Sequence, residues 1–225
     1  MTTLTEGLHT GEFIGEMAMG PSFHNDAVTV LSGQNLVAGA VVGAVPAGTS
    51  ASAAKSGGNT GTGTFVLDAT TPILPRAIEG VYTLRCITAA TNGGVFRLED
   101  PNGVVLGDFT ITGGAGGTVT VSEQIKGVIT DAGTDFAAGD GFDITISALT
   151  EKVVEYNPAG TNGSQIVRGI LYGAVNATSA DTAGVVVSRG PAIVNANDIT
   201  WKSGMTTAQK TTAKAALLAK GIRAL

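Results

Sequence analysis

The chain has 225 residues, a formal net charge of −5, 14% charged residues and 5% aromatic residues. This acidic balance argues against a nucleic-acid partner, because such proteins need a basic face to release counterions. The 43% apolar content argues against a disordered chain. Glycine (33 residues) is abundant alongside threonine, valine and alanine, which predicts a mainly β protein.

The first 20 residues have apolar side chains with no regular spacing. Without a period of 2 or 3.6 residues, neither a strand nor a helix is indicated. We predict an N-terminal arm, residues 1–20, that is loosely held in the free chain and docks on another molecule. An ordinary frayed terminus is the alternative. The residues predicted to make the contact are Leu4, Leu8, Phe13, Ile14 and Met17.

Two strands are predicted next, at residues 27–31 and 36–45, separated by the turn Ser32-Gly33-Gln34-Asn35. Residues 49–63 (TSASAAKSGGNTGTG) are small and polar, which is typical of a linker.

Residues 64–151 contain most of the aromatic side chains and frequent turns such as Thr91-Asn92-Gly93-Gly94. Asn-Gly between apolar runs indicates a hairpin, and many short strands indicate a sandwich or a barrel. Cys86 lies in one of these runs and is predicted to be buried. The predicted strands are 63–67, 80–89, 95–99, 104–112, 118–121 and 142–148.

Residues 152–225 are similar in composition to residues 21–48, and they end in the only clear helix signal. Thr206 and Gln209 fit a capping box, and Gly221 supplies a left-handed stop. The residues predicted to face the core are Ala213, Leu217 and Leu218. The chain therefore indicates one domain, 21–48 plus 152–225, interrupted by an antiparallel β-sandwich domain at 64–151.

Catalytic and metal-binding patterns are weak throughout the chain. Ser22 and His24 are two residues apart, but no nucleophile elbow surrounds the serine. The acidic stretch 131–143 could surround a calcium ion only if its loop folded back, and its spacing does not match an EF-hand. A single cysteine excludes an intrachain disulfide and a CxxC zinc site. We therefore expect no enzyme activity, no metal and no cofactor.

The longest apolar stretch, residues 36–45, is far shorter than the ~20 residues of a membrane helix. The first ten residues also lack the basic start and apolar region of a secretory signal. We expect no membrane partner and synthesis in a reducing cytoplasm.

The outer segments resemble the head decoration (capsid cement) proteins of lambda-like tailed bacteriophages. The ordered set with SGQNL, VVG and RGILY carries the resemblance, which covers about half of the chain. The matching segments are residues 5–13, 28–43, 152–158, 168–172, 186–190 and 199–201. The inserted segment 64–151 departs from the family pattern and resembles β-sandwich modules of other phage surface proteins.

The resemblance implies a small β-barrel or β-tulip-like decoration domain that forms a homotrimer. The trimer would bind the major capsid protein outside the expanded shell, at three-fold and quasi-three-fold positions, and resist the pressure of packed DNA. The arm would add a strand to an open sheet edge of the shell protein. Candidate subunit-interface residues are Trp201, Ile170 and Tyr172; for Trp201, anchoring the helix is the alternative.

A carbohydrate- or receptor-binding module in residues 64–151 is the competing hypothesis. Sugar sites commonly use an exposed aromatic platform, and the aromatic residues here mostly occupy positions that suit a core. Those residues are Tyr82, Phe96, Phe109, Phe136 and Phe142.

Overall fold

The computed structural model describes residues 6–112 and 114–225, in which strands predominate. The prediction of a mainly β protein is therefore confirmed. The strands are β1 (Ile14–Met17), β2 (Asn25–Val30), β3 (Gln34–Leu36), β4 (Val41–Ala54), β5 (Thr64–Leu67), β6 (Gly80–Ala90), β7 (Gly93–Glu99), β8 (Val105–Ile111), β9 (Thr118–Ser122), β10 (Lys126–Thr130), β11 (Gly141–Glu155), β12 (Val167–Leu171), β13 (Val175–Ala177), β14 (Thr182–Val187), β15 (Ala192–Val194) and β16 (Ile222–Ala224). The helices are α1 (Pro21–His24) and α2 (Thr207–Ala219).

The chain divides into two compact units. Unit 1 contains the described residues up to Val45 together with Glu151–Leu225, and unit 2 contains Pro46–Thr150. The chain passes from one unit to the other within β4 and again within β11.

Unit 1 is built on a closed set of strands in the order β2-β14-β12-β4-β11, with β11 pairing back to β2. Val153 of β11 pairs with Val30 of β2, and the Tyr156 N–H donates to the carbonyl of Val41 over 3.0 Å. A separate three-stranded sheet has the order β1-β15-β16. Closure removes the open edges that a sheet otherwise presents.

Successive residues of the unit 1 strands belong to two different apolar clusters. In β12, Ile170 packs in one cluster and Leu171 in the other, and Val187 and Val186 of β14 divide in the same way. Because neighbouring side chains of a strand point to opposite faces, both faces of these strands are covered. The cluster that includes Ile170 also contains residues of α2 and of the β1-β15-β16 sheet.

Helix α2 has the predicted capping box, since the Gln209 N–H donates to the Thr206 hydroxyl oxygen and the Thr206 N–H donates to Gln209 Oε1. Ala213 and Leu217 are buried as predicted, but the prediction for Leu218 is wrong, because this side chain is 59% exposed. Residues i and i+4 share a helix face, whereas the next residue is rotated by about 100°.

Unit 2 is formed by two antiparallel sheets that share one apolar cluster. One sheet contains β6, β7, β8 and the first residues of β11, and the other has the order β5-β10-β9. Side chains such as Leu84 of the first sheet and Ile129 of the second lie in the same cluster. This is the arrangement of a β-sandwich. Cys86 is buried in the cluster, as predicted.

Three local predictions are corrected by the structure. Residues 49–54 extend β4 instead of forming a linker, because other strands satisfy their polar groups; the Thr49 hydroxyl, for example, lies 2.7 Å from that of Ser147. Strand β10 was not predicted, since lysine and glycine interrupt its apolar pattern. A second, four-residue helix, α1, begins at Pro21, whose fixed φ suits the first helical turn.

Candidate functional site

The N-terminal segment from Leu8 to Met17 is packed against unit 1. Strand β1 pairs with β15, with Ile14 opposite Val194, and the Asn195 N–H donates to the Phe13 carbonyl over 2.8 Å. The Phe13 side chain is completely buried in the cluster that contains Ile170. The segment therefore contributes to the core of its own unit.

Tyr172 fixes the chain just before this strand. The Gly11 N–H donates to the Tyr172 carbonyl over 2.8 Å. A Cβ added at Gly11 would lie 2.9 Å from Cε2 of the Tyr172 ring, and Gly11 has a φ of +72°. Both the close approach and the left-handed backbone favour glycine at this position. Leu8 Cδ1 lies close to Gly39, so the contact with unit 1 begins at Leu8.

These contacts correct part of the predicted arm. Residues 8–17 are not loosely held, because β1 makes a ladder with β15 and Phe13 completes an apolar cluster. Phe13 has no surface left for a partner, whereas Leu8, Ile14 and Met17 are half-buried. Leu4 lies outside the described residues.

The three candidate interface residues differ in exposure. Ile170 is completely buried within the single chain, so the prediction that it contacts another subunit is wrong. Both faces of β12 are covered, and this could not be deduced from its RGILY sequence alone. Trp201 and Tyr172 are half-buried and pack against the same cluster as Ile170.

His24 has a structural role that its sequence context did not predict. Its ring is completely buried; Nε2 accepts from the Met19 N–H over 3.3 Å, and Nδ1 lies 3.0 Å from the Arg189 carbonyl. A carbonyl can only accept, so Nδ1 donates to the Arg189 carbonyl. Both nitrogens are thereby engaged in holding the N-terminal segment, and neither is directed to Ser22.

An ion-pair network lies beside this histidine. Arg168 donates to Asp26 over 2.9 Å and to Glu151 over 3.0 Å, and Arg189 also pairs with Asp26. Desolvation raises the pKa of Asp26, but hydrogen bonds from Ser188, Arg168 and Arg189 outweigh it and hold that pKa below its usual range. The network therefore connects β2, β11 and β12 through charge-assisted hydrogen bonds.

The acidic stretch 131–143 does not converge on one point. Asp140 accepts from three backbone N–H groups, Asp135 accepts from the Asn92 N–H over 2.8 Å, and Asp143 pairs with Arg85. Both carboxylate oxygens of Asp131 are buried without a hydrogen-bond partner. Within residues 6–112 and 114–225, no group of three or more His, Cys, Asp or Glu is placed to hold a metal ion.

The aromatic rings of unit 2 are used in its core. Tyr82, Phe96, Phe136 and Phe142 are at most 5% exposed, and Phe109 packs against the same cluster. Phe96 and Phe136 meet edge to face with their centroids 4.9 Å apart. None of these five rings forms the exposed platform that the carbohydrate hypothesis requires.

The chain is a mainly β protein in which a β-barrel unit with a strand-anchored N-terminal segment is interrupted by a β-sandwich unit. The family model of bacteriophage lambda head decoration protein D matches residues 3–222, and the chain therefore belongs to that family. This is a family of structural proteins of the phage head. The matched range includes unit 2, which the sequence resemblance had left out.

The other comparisons add little to this assignment. No curated protein matches the chain. A crystal structure of Xanthomonas campestris FlgL is similar at 19% identity with a TM-score of 0.27, covering 56% of this chain and 34% of that one. The chain thus corresponds to about a third of the length of that protein. No helix in the described part of the chain is both long and apolar enough to cross a bilayer.

Proposed function

We propose that this protein binds as a homotrimer to the outside of the expanded phage head, at three-fold and quasi-three-fold positions. It bridges neighbouring copies of the major capsid protein and stabilises the shell against the pressure of packed DNA. The observation that carries the proposal is the match of residues 3–222 to the head decoration family. The protein is made in the host cytoplasm and acts on the virion exterior.

The first seven residues, which precede the docked segment and include Leu4, are proposed to bind the shell protein by adding a strand to an open sheet edge. Main-chain hydrogen bonds give affinity in this mode, and pockets for alternate side chains give specificity. Ordering a chain costs about 1–2 kcal/mol per residue in backbone entropy. Anchorage at Leu8 and at β1 limits that cost to the residues before them.

Trimer formation strengthens attachment to the shell, because the weak contact of one arm is made three times. Three arms on one particle act at a high effective concentration, so avidity exceeds the affinity of one arm by orders of magnitude. We propose Trp201, a half-buried indole, as a subunit contact, because aromatic residues are enriched at interfaces. Tyr172 is proposed to contribute to the subunit contact by positioning Gly11, whose N–H donates to the Tyr172 carbonyl.

Deletion of residues 2–7 tests the proposal without disturbing the core. A deletion of the first 20 residues would also remove Phe13 and β1, so lost binding could then reflect lost folding. The short deletion should keep the thermal unfolding temperature and the sedimentation coefficient of a trimer, while binding to expanded, undecorated shells falls by more than about ten-fold. Unchanged shell binding by this variant, or a monomeric full-length chain, would contradict the proposal.

A further inference from the structure

The C-terminal 27 residues of the chain, 199–225, form its one strongly basic region. They hold five of the 13 basic residues and none of the 18 acidic residues: Lys202, Lys210, Lys214, Lys220 and Arg223. Lys202 is paired with Glu155 over 2.8 Å. Within the described residues, the other four cations have no acidic partner within 4.0 Å. An acidic protein thus keeps an uncompensated positive region in unit 1.

An apolar groove of about 340 Å³ has one of these cations, Arg223, in its lining, together with Gly221, which follows Lys220. It runs between the N-terminal segment, at Glu16 and Ala18, and the end of the chain, at Leu218 and Arg223, with β15 as its floor. Leu218 is 59% exposed, although it is a large apolar side chain at the end of α2. Exposed apolar side chains that line a concave surface and are rimmed by charge mark interaction sites.

Around the groove, positively charged side chains outnumber negatively charged ones. Glu16, Ile193 and Arg223 lie in one row across the β1-β15-β16 sheet. Two strand spacings separate the backbones of Glu16 and Arg223 by about 10 Å, and among the described residues the two side chains are not paired within 4.0 Å. Lys220 adds a second cation at the same end, where its carbonyl accepts from the Gly190 N–H over 2.7 Å. The groove therefore favours an apolar side chain flanked by carboxylates.

We infer that this groove is a second contact for the shell protein, occupied by an extended segment with an apolar side chain next to one or more carboxylates. The inference rests on the proposed function. One wall of the groove, at Glu16 and Ala18, belongs to the N-terminal segment that follows residues 1–7 along the chain, and the opposite wall carries Arg223 and the exposed Leu218. Acidic groups of the bound segment would meet Arg223, which lines the groove, and Lys220, which precedes the lining residue Gly221.

Two pairs of matched variants test this contact on the full-length protein. Leu218→Ser removes the exposed apolar side chain, with Val66→Ser, at 62% exposure in unit 2, as its control. Arg223→Glu reverses an exposed cation of the groove, with the exposed Arg76→Glu of unit 2 as its control. Binding to expanded, undecorated shells is measured over a range of salt concentrations, with thermal unfolding and sedimentation of each variant.

Each groove variant should weaken shell binding by about ten-fold or more, whereas each control should stay within about two-fold of the unmodified protein. Arg223→Glu should also reduce the salt dependence of binding. Unchanged binding by both groove variants, while the 2–7 deletion loses it, would overturn the inference and leave the proposed function intact. Loss of self-association by the groove variants but not by their controls would assign the groove to a second copy of this chain and overturn the inference. Failure of the unmodified protein to bind shells would overturn both.

Discussion

Replacement of Phe13 by alanine distinguishes a core residue from a residue of a free arm. Its side chain is completely buried in the cluster that also contains Ile170 of β12 and Leu217 of α2. Truncation of a buried phenylalanine to alanine costs about 3–5 kcal/mol, from lost transfer free energy and from the cavity that remains. If Phe13 were part of a free arm, the same change would leave stability within about 0.5 kcal/mol.

Thermal unfolding followed by calorimetry is the appropriate assay, because the two units can give separate transitions. A loss of 3–5 kcal/mol should lower the transition of unit 1 by about 10 °C or more. The transition of unit 2, whose cluster contains no residue from the N-terminal segment, should not move. Hydrogen exchange should show faster opening at the amide of Asn195, which donates to the Phe13 carbonyl.

Met19→Ala is the matched control, because Met19 is 53% exposed and follows the same strand. It should shift the transition by no more than about 2 °C. A Phe13→Ala variant that melts at the same temperature as the unmodified protein would refute the placement of Phe13 in the core. The earlier expectation of an arm loosely held up to residue 20 would then be restored.

Three further substitutions test local contacts in the two units. Thr206→Ala removes the capping box of α2 and should cost about 1 kcal/mol in thermal unfolding, whereas Thr206→Ser should cost little; equal losses would argue against the cap. Desolvation raises the pKa of Asp140, but three backbone N–H donors outweigh this effect and lower that pKa. The ionised carboxylate therefore stabilises the folded state above about pH 4, and this stabilisation is lost as the pH falls through the lowered pKa. Asp140→Asn should lower the stability at pH 7 and flatten its acid dependence in urea unfolding; an unchanged pH profile would exclude this role. A Cβ at Gly169 would overlap the carbonyl oxygen of Val187, so Gly169→Ala should destabilise unit 1 by more than about 2 kcal/mol. Gly133→Ala is the control: a Cβ at Gly133 would have no atom within 4 Å, so this variant should be nearly neutral in the same assay.

Local chemistry made several features predictable from the sequence. The capping box at Thr206 and the glycine stop at Gly221 depend on residues within one helical turn, and both are present. The strands of the inserted segment were mostly recognisable, because Asn-Gly turns and alternating apolar residues act over a few positions. The family, too, was recognisable from ordered short segments, and the match over residues 3–222 confirms it.

Features that depend on distant partners were not predictable. Residues 49–54 have a linker composition, yet they form a strand because other strands supply their hydrogen bonds. Leu218 and Leu217 are chemically identical neighbours, and only the packing of α2 decides which one is buried.

The sequence by itself determined the mainly β class, the interrupted order of segments, the C-terminal helix and the family, since these follow from composition, short-range pattern and order along the chain. The tertiary structure alone decided that Phe13 and Ile170 are core residues, that His24 is buried with both ring nitrogens hydrogen-bonded, and that Arg223 and the exposed Leu218 line an open apolar groove. The reason is physical: burial and charge compensation are properties of a residue's neighbours in space, and a chain of 225 residues brings those neighbours from more than a hundred positions away, as His24 and Arg189 do.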